Sequence, residues 1–260
     1  SKLEAKRKGG PQNMKEVTVV IPFYNGNPYL SDALHTLAGD AMVERILIVV
    51  DQGSEEPIFK KNDLNVDVLH NTDPKIRGAG VCRSLGFASA KSQFVAFLDC
   101  DDLWHEDKLG TQIALMKTND TAFSFLTYRH FDSGSREFAP VVPIGPFTQK
   151  NFYKKRFTIG CLTVVIDKQK VPSVPKVLIK RRNDYVMWDY VIKYCIENDL
   201  NWHGFNTKPL AFHRLHEASL TSSRMVSAIY YFKFLRNCGH NKLLSMHYFL
   251  HYLLYTLGTR

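Results

Sequence analysis

Three stretches of this chain, Val17–Pro22 (VTVVIP), Arg45–Val50 (RILIVV) and Phe94–Leu98 (FVAFL), are apolar at nearly every position instead of alternating with polar residues. A strand with one face in water alternates, whereas a strand that is apolar throughout has to be covered on both faces. Between these runs the spacing changes. Leu30, Ala33, Leu34 and Leu37 predict a helix over 28–37, and a second helix is predicted over 81–91, after Arg77-Gly78-Ala79-Gly80. Val66–His70 reads as a further short strand. Strands alternating with helices predict an α/β domain with a Rossmann-like, mostly parallel central sheet and helices on both faces. Ligands of such sheets bind beyond the carboxyl ends of the strands. Two of the predicted strands stop there on acids, one on Asp51 and one on Asp99.

The remainder is less regular. Ala122–Arg129 and Leu162–Ile166 read as strands, separated by a stretch from Gly134 to Pro146 that contains proline and glycine. Asp184–Ile196 reads as a helix with Met187, Tyr190, Val191, Tyr194 and Cys195 on one face. Met225–Leu257 reads as aromatic-rich helix broken at Cys238-Gly239-His240-Asn241. Residues 1–13 read as a flexible arm derived from an expression vector, with Met14 as the natural start. Residues 14–221 read as the α/β domain and 222–260 as a C-terminal aromatic-rich helical segment. That segment has two readings: a helix pair docked on the core, or a surface resting on membrane with Lys233, Arg236 and Lys242 toward headgroups.

The net charge is +9; without the arm, whose four cations face only Glu4, it is +6. A basic chain suits anionic partners such as a nucleotide diphosphate, an anionic membrane face or nucleic acid. No apolar run approaches the roughly 20 residues that span a bilayer, and no N-terminal segment resembles a secretion signal. Five scattered cysteines without CxxC spacing fit a reduced, cytoplasmic protein with no disulfide framework or structural zinc.

Asp99-Cys100-Asp101-Asp102 sets three carboxylates within four residues at the end of an apolar strand. Such crowding is unfavourable unless a cation or hydrogen bonds offset the repulsion, and hard oxygen ligands select Mg²⁺ or Mn²⁺. An acidic turn of this kind also serves as a helix cap, with Asp102 as the capping residue. Likewise Asn183 or Asp184 can cap the helix that begins there, and His213 and His216 can be ordinary core or surface histidines.

Six segments together resemble the motifs of family 2 glycosyltransferases. They are Val19-Val20-Ile21-Pro22-Phe23-Tyr24-Asn25; Val49-Val50-Asp51-Gln52-Gly53-Ser54; Gly80-Val81-Cys82-Arg83-Ser84-Leu85-Gly86; Phe97-Leu98-Asp99-Cys100-Asp101-Asp102-Leu103-Trp104; Arg182-Asn183-Asp184-Tyr185-Val186-Met187-Trp188; and Arg214-Leu215-His216-Glu217-Ala218-Ser219. They occur in the family's order. The resemblance implies a GT-A fold and an inverting transfer from a nucleotide-diphosphate sugar, UDP-linked for preference, to a hydroxyl of a glycan or lipid-linked acceptor in surface polysaccharide synthesis. It implies donor contacts by Pro22, Tyr24, Asn25, Asp51, Arg83, Asp99, Asp101, Arg214 and His216, with Asp51 at the nucleobase and Asp99 near the ribose. It implies Mn²⁺ or Mg²⁺ held by Asp101, Asp99 and His216, and Asp184 as the general base. The enzyme would work in the cytoplasm, peripherally on the inner membrane face through residues 225–257. Two positions depart from the family: Gln52 stands for an acid and Ser84 for an asparagine.

Rival functions fit less well. A nucleotidyltransferase that makes nucleotide-sugars needs a Gly-rich, arginine-containing loop after the first strand, and Phe23-Tyr24-Asn25-Gly26-Asn27-Pro28 is not one. A nucleic-acid module lacks a recognition motif and a clustered basic surface. A sugar-binding module without turnover would have no use for Asp99, Asp101 and Asp184 together.

Overall fold

The computed structural model describes residues 15–60, 63–216 and 224–258. The arm at 1–13, Met14 and the Glu217-Ala218-Ser219 end of the last motif lie outside the described residues.

Strands β1 (Val17–Phe23), β2 (Val43–Val50), β3 (Val66–His70) and β4 (Phe94–Phe97) form the parallel part of a seven-stranded sheet in the order β3-β2-β1-β4. Helices α1 (Asn27–His35) and α2 (Ala79–Ser89) make the crossovers. The apolar runs are buried on both faces, as their lack of alternation requires. Val20, Val49, Val95 and Phe97 enter one core with α2. Val19, Ile21, Ile46, Ile48, Val50, Phe94 and Ala96 enter another with α1 and α3 (Lys108–Thr118).

The predicted strand over 122–129 is in fact two. β6 (Thr121–Leu126) belongs to the large sheet, which continues from β4 through antiparallel β8 (Val165–Asp167) to β6 and β9 (Asn201–Phe205). After Thr127 the chain passes to a second, three-stranded sheet as β7 (Tyr128–Asp132), which pairs in parallel with β10 (Ala211–Leu215); β5 (Leu103–Trp104) lies on the other side of β10. The apolar content of the two strands is continuous, so sequence alone does not reveal the change of sheet. Leu162 sits in a 3₁₀ turn, Cys161–Thr163, ahead of β8.

Helix α4 (Gln149–Tyr153), helix α5 (Asn183–Glu197) and the C-terminal pair α6 (Arg224–Asn237) and α7 (Lys242–Gly258) cover the first core. The break between α6 and α7 falls where predicted, and Gly239 takes φ +86° there. Tyr231, Phe234 and Leu235 of α6 are fully buried. The Tyr231 hydroxyl donates to the Tyr153 carbonyl at 2.9 Å, and its ring stacks on Tyr252 of α7 at 4.0 Å. One face of the tail is therefore core. No helix among the described residues is long and apolar enough to cross a membrane, and all five cysteines are free thiols.

α2 lies unusually close to β1 because Gly86 has no side chain. A Cβ there would overlap the Val20 side chain, whereas one on Gly110 of α3 would meet nothing within 4 Å. Gly86→Ala should destabilise by about 1–3 kcal/mol, the cost of overpacking a tight core. Gly110→Ala should stabilise by up to about 1 kcal/mol through helix propensity. Urea unfolding of the two variants checks the pair.

Candidate active site

The loops after β1, β2 and β3 build one wall. Pro22 is buried in β1 beside Val49, and Tyr24, just past the strand, is 55% exposed. Asn25 sits in the left-handed region at φ +52°. Its N–H donates to Ser54 Oγ at 3.0 Å and its Oδ1 accepts the Glu55 N–H at 2.9 Å, so the two loops are stitched together. Asp51 is buried; it accepts from Asn71 Nδ2 at 3.1 Å and from the Gly78 N–H at 2.7 Å. Gly78 has φ +118°, which a side chain would strain. Asn71 is a site residue that the sequence did not disclose; its Nδ2 also donates to the Ile76 carbonyl at 2.7 Å. Gln52 Nε2 donates to the Asn71 carbonyl at 2.6 Å. The aspartate usual at that position has no N–H and could not make this bond.

The acidic turn after β4 is divided among different partners. Asp99 Oδ1 accepts from Arg83 Nη2 at 2.5 Å. Asp101 Oδ2 lies 2.7 Å from His216 Nε2. Asp102 is buried and accepts the Arg214 N–H at 2.9 Å; burial and the charges of Asp101 and Asp99 push its pKa well above the usual carboxylate range. It caps no helix, since β5 follows it and α3 starts only at Lys108. Arg214 grips this turn through Nε to the Asp101 carbonyl at 2.9 Å and pairs with Asp32 of α1 at 3.1 Å.

Arg83 connects the turn to α5. Its Nη1 donates to Asn183 Oδ1 at 2.7 Å. Burial disfavours its charge, but Asp99 foremost, with Asp184 contributing, outweighs that and raises its pKa. The N-cap of α5 is Arg182, at φ +60°, so neither Asn183 nor Asp184 is the cap. Asp184 lies in the first turn of α5, where the helix N-terminus favours a negative charge. Asp99, Asp102, Arg83 and Asp184 line one cleft of about 600 Å³, together with Lys155, Arg182, Tyr185, the His130–His213 pair and Tyr255 of α7. Lys155, Arg182 and His130 carry no sequence signal of their own. A chain reversal and the change of sheet after Thr127 bring them here.

Asp101, a hard oxygen donor, and His216, an imidazole nitrogen donor, converge at 2.7 Å and together have donor chemistry that a divalent cation could use. Among the described residues, no group of three His, Cys, Asp or Glu side chains converges to hold a metal.

A family model described as glycosyl transferase family 2 matches residues 18–167. The chain is 28% identical over 218 residues to the putative teichuronic acid biosynthesis glycosyltransferase TuaG of Bacillus subtilis (strain 168), covering 82% of this chain and 84% of that one. It is 27% identical over 246 residues to the UDP-Glc:alpha-D-GlcNAc-diphosphoundecaprenol beta-1,3-glucosyltransferase WfgD of Escherichia coli, covering 91% and 92%. S. aureus TarS 1-349 in complex with UDP-GlcNAc superposes with a TM-score of 0.65 at 16% identity, over 92% of this chain and 71% of that one. The fold is GT-A.

His130 Nδ1 and His213 Nδ1 lie 3.1 Å apart. Burial, then the neighbouring His213, pushes the His130 pKa down from 6.5 to about 4, and burial lowers His213 as well. The folded protein therefore holds fewer protons than the unfolded chain between those values. The His130 contribution to stability is intact above pH 6.5 and is lost as pH falls toward about 4. His130→Gln should flatten the decline in urea midpoint between pH 6.5 and 4, and an unchanged decline would show that other groups carry it.

Proposed function

The chain belongs to glycosyl transferase family 2, and from that membership and its cleft we propose an inverting transfer from a UDP-sugar to a hydroxyl of a lipid-linked saccharide. The carrying observation is that Asp99 and Asp184, 85 positions apart, line one cleft and are joined through Arg83 and Asn183. In this reading Asp184 takes the proton of the acceptor hydroxyl. The oxygen attacks the anomeric carbon, and the bond to the β-phosphate oxygen breaks with its electrons leaving on UDP. Tyr24, Pro22, Asn25 and Asp51 with Asn71 form the nucleoside wall, and Asp99 stands near the ribose. The donor and acceptor classes are supported by the activity that the name of WfgD states and by the UDP-GlcNAc complex of TarS.

Mn²⁺ or Mg²⁺ fits beside Asp101 and His216, because two protein ligands leave positions for diphosphate oxygens and water. When bound, it would offset the charge that develops on the departing diphosphate. Asp99, whose Oδ1 is held by Arg83, contributes through position in the turn.

We place the enzyme on the cytoplasmic face of an anionic membrane. α7 buries Tyr248 and Tyr252 but leaves Leu243, Met246, Leu250 and Leu254 exposed on its other side, Leu243 at 84%. Residues 224–258 contain no Asp or Glu, while Arg224, Lys233, Arg236 and Lys242 are basic. An apolar ridge on a helix without acids suits a headgroup layer. Tyr255, farther along the same helix, borders the cleft, so lipid contact and acceptor entry would be neighbours.

Asp184→Asn preserves shape but cannot accept a proton, and turnover should fall by about 10²–10⁴ with donor affinity retained. Asp101→Asn should weaken metal-dependent UDP binding as well as turnover, and EDTA should do the same to the wild type. Calorimetry beside kcat separates the two; near-normal turnover by Asp184→Asn would remove it as the base. For the membrane, the wild type should co-sediment with phosphatidylglycerol vesicles, less so in high salt. Leu250→Glu/Leu254→Glu should abolish this while remaining folded, and equal sedimentation would exclude the ridge.

A further inference from the structure

Beyond Asp184 the cleft holds two cations that the transfer chemistry does not use. Lys155 Nζ donates to the Tyr185 hydroxyl at 2.6 Å and lies 4.8 Å from that ring's centroid. The Arg182 guanidinium lies 5.1 Å from the Tyr185 ring and 5.7 Å from the Tyr231 ring. Both residues line the cleft with Asp184. Among the described residues, no carboxylate makes an ion pair with either, although eight other lysines and arginines have one. Lys155 is buried, where its charge is costly, and the nearby carboxylate that favours that charge is Asp184, which makes no direct ion pair with it. Both residues also hold left-handed backbone, at φ +58° and +60°, a conformation uncommon for long side chains. The fold thus keeps a lysine and an arginine side by side, at some cost, in the cleft that Asp184 lines.

We propose that Lys155 and Arg182 form a subsite for a phosphate group of the acceptor, so that the sugar receiving the new linkage is one bound through a phosphate or diphosphate ester. This rests on the reading of Asp184 as the base, because the acceptor hydroxyl must reach it while the phosphate reaches the cations. An arginine fork beside a lysine point charge matches a phosphate better than an uncharged sugar. Burial and the Arg182 charge hold the Lys155 pKa well below the usual lysine range, and a bound anion is what would restore its charge. The same subsite accounts for why α6 and α7 close over this end of the cleft: Tyr231 packs against Arg182, and Tyr255 lines the opening.

The test is calorimetric titration of the full chain in EDTA, without donor, using N-acetylglucosamine 1-phosphate, N-acetylglucosamine, glucuronic acid and inorganic phosphate as probes. The sugar phosphate should bind at least tenfold more tightly than each of the other three, and in a parallel titration with Mn²⁺ in place of EDTA saturating UDP should not displace it. Lys155→Gln and Arg182→Gln should each weaken it at least tenfold, and Asp101→Asn should not. If Arg182→Gln fails to fold because its ring contacts are lost, Arg182→Lys, which keeps the charge without the fork, and Lys155→Gln decide the matter. Equal binding of sugar and sugar phosphate, or unchanged affinity in the variants, would overturn the subsite. Equal binding of glucuronic acid would overturn its choice of phosphate. Inorganic phosphate binding as tightly as the sugar phosphate would overturn the assignment to acceptor, and displacement by UDP would move the phosphate to the donor side. Because no transfer is measured, these outcomes are independent of whether Asp184 proves to be the base.

Discussion

The site depends on one buried guanidinium. Arg83 lies on α2 beneath the cleft and joins the acidic turn after β4 to the first residue of α5 through Asp99 and Asn183. Its side chain is 6% exposed, so its charge requires a partner, and removing one partner of such a pair is more damaging than never having built it. The requirement runs in both directions. Asp99 must face inward to satisfy Arg83, which leaves Asp101 as the acid that meets His216. Arg83 in turn can reach both ends only because α2 lies so close to β1, an approach that Gly86 allows at Val20.

Around that pair the two sheets divide the work. The parallel strands β1, β2 and β3 bring the wall built by Asn25, Asp51 and Asn71 to their carboxyl ends, where a doubly covered sheet presents its loops. The small sheet supplies the opposite requirement, a set of side chains that reach back over the acidic turn. β10 carries Arg214, whose backbone N–H holds Asp102 and whose Nε holds the Asp101 carbonyl. β7 and β10 together carry His130 and His213. Asp102, which is fully buried, is a brace for β10 and not a free acid of the cleft. Several acids set close together are tolerated because each has a different partner: Arg83, His216, and the Arg214 backbone.

Much of this was legible in the sequence where one physical rule decides the outcome. Unbroken apolar runs forced a doubly covered sheet, and the acids predicted to end two of those runs, Asp51 and Asp99, do follow the carboxyl ends of β2 and β4. The place of Asp184 in the cleft was legible only through its motif, because an acid in a first helical turn also suits the helix dipole. The structure removes part of that ambiguity by making Arg182 the cap. Asn71, Lys155 and Arg182 were not legible. Asn71 acts through Asp51 at a distance of 20 positions, and the two cations meet only because the chain reverses between them. The tail stayed ambiguous for a sound reason: α7 buries tyrosines on one side and exposes leucines on the other, so an apolar count favours core and membrane equally.

The central claim is that Arg83 mechanically couples the acidic turn to the helix that carries Asp184. A double-mutant cycle of Asp99→Asn and Asn183→Ala tests it directly, read as unfolding free energy, in the wild type and in an Arg83→Met background. The two residues do not touch each other through any bond but that of Arg83, so the account predicts a coupling of about 0.5–3 kcal/mol that disappears once Arg83 is methionine. Additive effects, within about 0.5 kcal/mol, in the presence of Arg83 would contradict it.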